Sequence, residues 1–126
     1  MARILVVDDS LVIRELLAEY LSEQGHRVET AVDGQEGIDK ALDGRYDIIL
    51  CDLHMPRKNG YQVFTEVTTH LPQSRFIMTD SLPDELARMA QEAGAYGCLT
   101  KPFDLDQVTA TLEKILAQTK TYDTGR

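Results

Sequence analysis

The chain has 126 residues, 43% of them apolar, which is enough for one domain with a buried core and excludes disorder for most of its length. Its net charge of −8, from 13 basic against 21 acidic residues, comes without a Lys/Arg block and so excludes the positive stripe that a nucleic-acid groove needs. No run approaches the ~18 apolar residues of a membrane span, and Met1-Ala2-Arg3 leads into an apolar run without a charged-then-apolar leader, so a reducing cytoplasm is the expected location.

Short apolar runs alternate with amphipathic segments along the chain, the pattern of a parallel sheet covered by helices on both faces. The first run, Ile4–Val7, is continuously apolar, as a strand buried on both faces is, and ends at Asp8-Asp9. Ser10 caps a first helix whose Ile13, Leu16, Leu17, Tyr20 and Leu21 form one apolar face, with Gly25 as its stop. The second run, Val28–Val32, alternates Val28, Thr30 and Val32 with Arg27 and Glu29, which predicts an edge strand. Asp33 and Glu36 form the capping box of a second helix.

The third run, Asp47–Cys51, is again continuous and closes at Asp52; Met55-Pro56 and Asn59-Gly60 read as loop and turn chemistry behind it. A third helix, Gly60 to His70, buries Val63, Phe64 and Val67. It is the weakest, because Thr65, Thr68 and Thr69 lose side-chain freedom there, and its C-terminal end is expected to fray. The fourth run, Arg75–Met78, closes at Thr79, and Ser81 with Asp84 opens a fourth helix. The fifth, Gly97–Leu99, precedes Lys101-Pro102, after which Asp104 with Gln107 opens a helix turning Leu105, Val108, Leu112, Ile115 and Leu116 inward. From 118 to 126 the chain is polar and aperiodic, the expected flexible tail or start of a linker. Cys51 and Cys98 lie outside any metal or redox spacing and read as buried free thiols. His26, His54 and His70 read as surface or loop residues.

If the first and third runs are neighbouring parallel strands, Asp8, Asp9 and Asp52 crowd one carboxyl edge of the sheet, where open α/β sheets place their ligands. Like charges a few Å apart repel, so the crowd points to a divalent cation beside a reactive carboxylate. Strands one, three, four and five lying side by side would bring Thr79 and Lys101 to the same edge. A carboxylate can attack phosphorus to form an aspartyl phosphate. The reaction asks mostly for positioning and charge neutralisation, which a metal, an ammonium and a hydroxyl supply. Mg2+ suits the site because it takes one or two carboxylates and keeps several waters; Mn2+ is expected to substitute.

The segments VVDDS at 6–10, DLHMPRKNG at 52–60, MTD at 78–80 and KPF at 101–103 resemble the receiver domain of two-component response regulators, over about residues 3–117. The resemblance implies an α/β, flavodoxin-like (βα)5 three-layer sandwich with a parallel five-stranded sheet of order 2-1-3-4-5, residues 1–117 forming the receiver domain. It implies Asp52 as phosphoacceptor, with Asp9, Asp52 and the main-chain carbonyl of His54 as metal ligands and Asp8 assisting through water. Thr79 becomes the hydroxyl that moves toward the phosphoryl group, and Lys101 its ion partner before a cis peptide to Pro102. The implied function is a switch and not an enzyme on outside substrates. A sensor histidine kinase or phosphotransfer protein donates the group, and the domain catalyses only its own phosphorylation and dephosphorylation. A surface of the fourth helix, fifth strand and fifth helix then addresses a downstream protein or attached effector domain.

Two positions depart from that pattern. Cys98 stands where the family usually carries Tyr or Phe, with Tyr96 two positions earlier as candidate substitute. Asp80 follows Thr79 where a small residue is usual, and is expected to narrow donor access and repel incoming phosphate.

Two other functions use similar parts. An FMN carrier of the same sheet order needs N–H donors with glycine or hydroxyl residues after strand one, where Asp8-Asp9 repel a phosphate, and there is no Trp to stack on the flavin. A small Mg2+-dependent aspartyl-nucleophile phosphatase needs a general acid two residues past the nucleophile, where His54 stands, and a cap for which 126 residues leave little chain.

Overall fold

The computed structural model describes residues 1–81 and 84–124, with 119–124 described by their backbone alone. Its strands are β1 (Arg3–Val7), β2 (Arg27–Ala31), β3 (Ile48–Asp52), β4 (Phe76–Asp80) and β5 (Gly97–Thr100). They form one parallel sheet in the order β2-β1-β3-β4-β5. Between and after them run α1 (Leu11–Glu23), α2 (Gly34–Asp43), α3 (Gly60–His70), α4 (Glu85–Glu92) and α5 (Leu105–Thr124).

Because strand side chains alternate in direction, the sheet serves two cores. Leu5, Val7, Ile49, Cys51, Phe76 and Met78 face a cluster with Ile38 of α2, Val63, Phe64 and Val67 of α3, and Ala87 and Ala90 of α4. Ile4, Val6, Ile48, Leu50 and Ile77 face Leu17 and Leu21 of α1 and Val108, Leu112 and Ile115 of α5. This is the expected three-layer sandwich, and the alternating strand β2 is at the sheet edge as its pattern predicts. The continuous runs of β1 and β3 are buried on both sides.

Several local expectations need correction. Leu16 is 40% exposed, because the stripe of α1 that meets the sheet is the narrower one of Leu17 and Leu21, with Ile13 and Tyr20 partly covered. Glu36 overreaches a capping box: Asp33 accepts from Glu36 N–H at 2.8 Å, but the Glu36 carboxylate takes Val32 N–H at 2.7 Å, one residue before the cap. The helix α3 extends to His70, where Leu71 N–H closes on Val67 O, and Thr68 and Thr69 donate their hydroxyls to the Phe64 and Thr65 carbonyls. Asn59, read as a turn residue, is the N-cap of α3 in a reciprocal box with Gln62.

The helix α4 begins at Glu85, not near Ser81, because Asp84 is the residue whose carboxylate takes the Leu86 and Ala87 amides; residues 82–83 lie outside the described residues. The backbone of α5 runs helical to Thr124, into the polar stretch expected as a flexible tail or start of a linker; 125–126 lie outside the described residues. Of the two thiols, Cys51 is buried and Cys98 only partly so.

Gly60 is where the fold constrains the loop after β3 most tightly. Its N–H donates to Leu53 O at 2.8 Å, and a Cβ there would lie 2.4 Å from Asp52 O and 2.9 Å from Leu53 Cα, both backbone atoms that cannot swing away. Alanine is otherwise the better helix former, so Gly60→Ala separates the two effects. We expect it to destabilise the protein by about 1–3 kcal/mol, the usual cost of overpacking, measured by urea unfolding.

Candidate functional site

The pairing of Val7 with Cys51 sets β1 and β3 level, so the residues that follow, Asp8 and Asp52, emerge together at the carboxyl edge. From β1 the chain goes to β2 on one side, and β3 lies on the other, so this edge holds the crevice of the topological switch point. Asp8, Asp9 and Asp52 each offer a carboxylate oxygen within 4.8 Å of the others. They are not equivalent. Asp8 is buried, and its two oxygens accept Ser10 N–H at 2.8 Å and Lys101 Nζ at 2.8 Å; Asp9 is exposed. Lys101 Nζ also lies 3.4 Å from Asp52 Oδ1, the oxygen that accepts His54 N–H at the same distance.

Burial, and next the neighbouring charge of Asp8, push the Asp52 carboxyl up to about 6 from 3.8, against the opposing pull of Lys101. For Lys101 burial acts downward, but the Asp8 hydrogen bond and the Asp52 charge outweigh it and the ammonium is held above its ordinary value. Three clustered carboxylates, two of them on one ammonium, fit a hard divalent cation, which would relieve the repulsion that Lys101 only partly offsets.

Thr79 pairs with Asp52 in the β3–β4 register and with Leu99 across β5, so Asp52 and Thr79 emerge on the same side of the sheet. It is buried, and its carbonyl takes Leu53 N–H at 3.0 Å. Lys101 N–H donates to Asp80 O at 2.7 Å, which ties the end of β5 to β4, and the Lys101–Pro102 peptide is cis as the resemblance implied. Tyr96 N–H reaches Phe76 O, and Cys98 pairs with Met78, so Tyr96 stands two residues, roughly 7 Å, further from the carboxyl edge than Cys98. That placement, with the ring half-exposed, argues against Tyr96 replacing an aromatic at 98.

A cleft of about 450 Å³ opens over the edge, walled by Asp9, Asp52 and Lys101 on one side and by His54, Asp80, Ser81 and Asp84 on the other. The second wall escaped the sequence reading in part. His54 Nε2 lies 2.8 Å from Asp84 Oδ2 and 3.6 Å from Asp80 Oδ1, whereas the sequence marks Asp84 only as a helix-start residue and the His54 imidazole as a loop side chain. The alternation of Thr79 and Asp80 along β4 was the available signal, since it sends Asp80 to the face that α4 covers.

A family model described as response regulator receiver domain matches residues 4–113. Response regulator MprA of Mycobacterium avium (strain 104) is 37% identical over 124 residues, 96% of this chain and 54% of its own length, so the chain spans about half of the curated relatives it matches. Among solved structures, chemotaxis protein CheY4 of Vibrio cholerae superposes with a TM-score of 0.85 at 33% identity, over 91% of this chain and 98% of that one. Response regulator TrrA of Thermotoga maritima, solved in complex with Mg2+-BeF, gives 0.84 at 33% identity, over 91% and 99%. With the sheet order, the crowded carboxyl edge and these matches in agreement, the chain belongs to the response regulator receiver domain family.

Proposed function

We propose that this domain is a phosphoryl-accepting switch in which Asp52 takes the group from a phosphohistidine of a sensor histidine kinase or phosphotransfer protein. The observation that carries the reading is Lys101 Nζ, 2.8 Å from Asp8 and 3.4 Å from Asp52, beside an exposed Asp9 at the switch point of the sheet. An Asp52 carboxylate oxygen attacks phosphorus, an O–P bond forms, and the P–N bond to the donor imidazole breaks. Asp8, Asp9, Asp52 and the His54 main-chain oxygen are the groups that would hold Mg2+, or Mn2+ in its place; the Mg2+-BeF complex of TrrA supports that choice. When bound, the ion neutralises charge on the phosphoryl oxygens. Asp8 already serves Ser10 and Lys101, which supports an assisting role through water, and the exposure of Asp9 supports a direct one.

After transfer, about −1.5 to −2 charges stand where one carboxylate stood. Lys101 is placed to follow them from Asp52 to a phosphoryl oxygen, and Thr79, level with Asp52, to donate its hydroxyl. The output is a shift in the surface of α4, β5 and α5 toward a downstream protein or an attached effector domain. The domain turns over only its own phosphoryl group, and the reading carries a cytoplasmic location with it.

Incubation with Mg2+ and acetyl phosphate or a phosphorylated kinase is expected to give one hydroxylamine-labile adduct, located at residue 52 by mass spectrometry and abolished by Asp52→Asn. An adduct elsewhere refutes the assignment. Kinase arms are needed because buried Asp80 on the cleft wall adds repulsion toward small donors.

Lys101→Ala is expected to leave Mg2+ affinity at pH 8 equal or tighter by calorimetry, because a competing cation is removed, while blocking any response of the α4 surface to phosphorylation. Loss of Mg2+ affinity would count against the role given to the ammonium.

The raised Asp52 pKa has a stability consequence in the metal-free protein. Between 3.8 and about 6 the folded state holds a proton that the unfolded state has released. The Asp52 charge therefore costs stability above pH 6, and the cost is gone by about pH 4. Asp52→Asn is expected to stabilise the metal-free protein at pH 7.5 by on the order of 1–2 kcal/mol, less than the roughly 1.4 kcal/mol per pKa unit of the full shift because solvent at the open rim screens it. Thermal melts across pH 4–8 read the gain and its disappearance in acid.

A further inference from the structure

His54 meets the site through both its main chain and its ring. Its N–H donates to Asp52 Oδ1 at 3.4 Å, and its carbonyl is among the groups that would hold the metal. Its imidazole meets Asp84 Oδ2 at 2.8 Å. The other Asp84 oxygen accepts the Leu86 and Ala87 amides, at 3.0 and 3.4 Å, and so starts α4. Asp80, the last residue of β4 and only 1% exposed, stands beside the same nitrogen with Oδ1 at 3.6 Å. Leu53 and Met55 on either side are buried in the core under α2, α3 and α4, so the chain is anchored just before and just after His54.

We propose that His54 is a positioning residue that couples the acidic cleft to α4: its imidazole, held by Asp84 beside Asp80, orients the main chain next to Asp52 that would face a bound metal and at the same time fixes the start of the helix. This rests on the reading of the cleft as a Mg2+ site. The tie needs only a ring N–H and a carboxylate oxygen, and both are present whether or not the imidazole is charged. Outer partners that orient a metal ligand commonly change affinity by about 10–100-fold when removed; here the ring is half-exposed, so the effect falls at or below the low end of that range. Because the coupling is an equilibrium one, it runs both ways, and loosening α4 weakens the metal site as loosening the metal site frees α4.

Mg2+ titration by calorimetry and amide exchange of the metal-free protein test the proposal with four variants. His54→Ala keeps the carbonyl and removes the ring. Asp84→Ser keeps a strong N-cap residue but is too short to reach residue 54. We expect each to weaken Mg2+ binding about 3- to 10-fold and the double variant to be no worse than the weaker single, because both remove one contact. His54→Gln, whose amide can reach the same carboxylate, should recover most of the affinity. In metal-free His54→Ala the first-turn amides of α4 should exchange at least several-fold faster. Multiplying losses, or unchanged exchange with intact affinity, would overturn the proposal. A wild-type protein that binds no Mg2+ would overturn the metal reading and the coupling with it, whereas faster α4 exchange would still locate the tie between His54 and Asp84.

Discussion

Lys101 stands between the buried carboxylates of Asp8 and Asp52, and the rest of the site is arranged around the imbalance it leaves. Pairing β1 with β3 forces two like charges together at a rim where water is partly excluded, and each strand is held there by residues buried on both faces. One ammonium offsets part of the repulsion; the Asp52 carboxyl remains held up at about 6. A fold that keeps such an edge in place stores a preference for additional positive charge. On the proposed reading the same edge would become more negative when Asp52 is modified, so that cation capture and the recruitment of Lys101 and Thr79 would both follow from one electrostatic imbalance.

The path from chain to edge was largely legible, for reasons that differ between elements. Strands β1 and β3 announce themselves because continuous apolar runs of that length suit a doubly covered parallel sheet, and β2 because alternation marks an edge. Closing acids and the lysine then follow from counting along each strand. What escaped is what depends on two elements at once. The narrowing of the α1 stripe to Leu17 and Leu21 is set by where the sheet lies, not by helical spacing, which admits Leu16 equally well. Two serviceable caps, Ser81 and Asp84, compete for the start of α4, and only the amide directions at Leu86 and Ala87 decide. The meeting of His54 with Asp80 and Asp84 needs the β3–β4 register as well as the loop between Asp52 and the tight approach at Gly60.

The departures at 80 and 98 take on physical content from the same register. Asp80 alternates away from Thr79 and toward the α4 side, so its carboxylate meets His54 instead of crowding Thr79. Cys98, level with Met78 on the face of the α2–α4 core, is packed against that core as a small apolar group, while Tyr96 stands just before β5, two residues further from the carboxyl edge.

The unequal anchoring of the helices says which of them can respond. Large side chains bury α1 through Leu17 and Leu21, α3 through Val63, Phe64 and Val67, and α5 through Val108, Leu112 and Ile115, each worth roughly 1.5–3 kcal/mol when fully covered. The phenol of Tyr20 further ties α1 to α5 by donating to Leu105 O, and it meets the Thr109 hydroxyl. The eight-residue α4 buries only Ala87 and Ala90, with Leu86 partly covered, so displacing it forfeits far less apolar contact than displacing any of those three. Weak anchoring alone would leave α4 loose in every state. A helix whose start is held by a contact at the rim of the acidic cleft is instead conditionally loose, and a change of charge there is the kind of perturbation that such a contact can register.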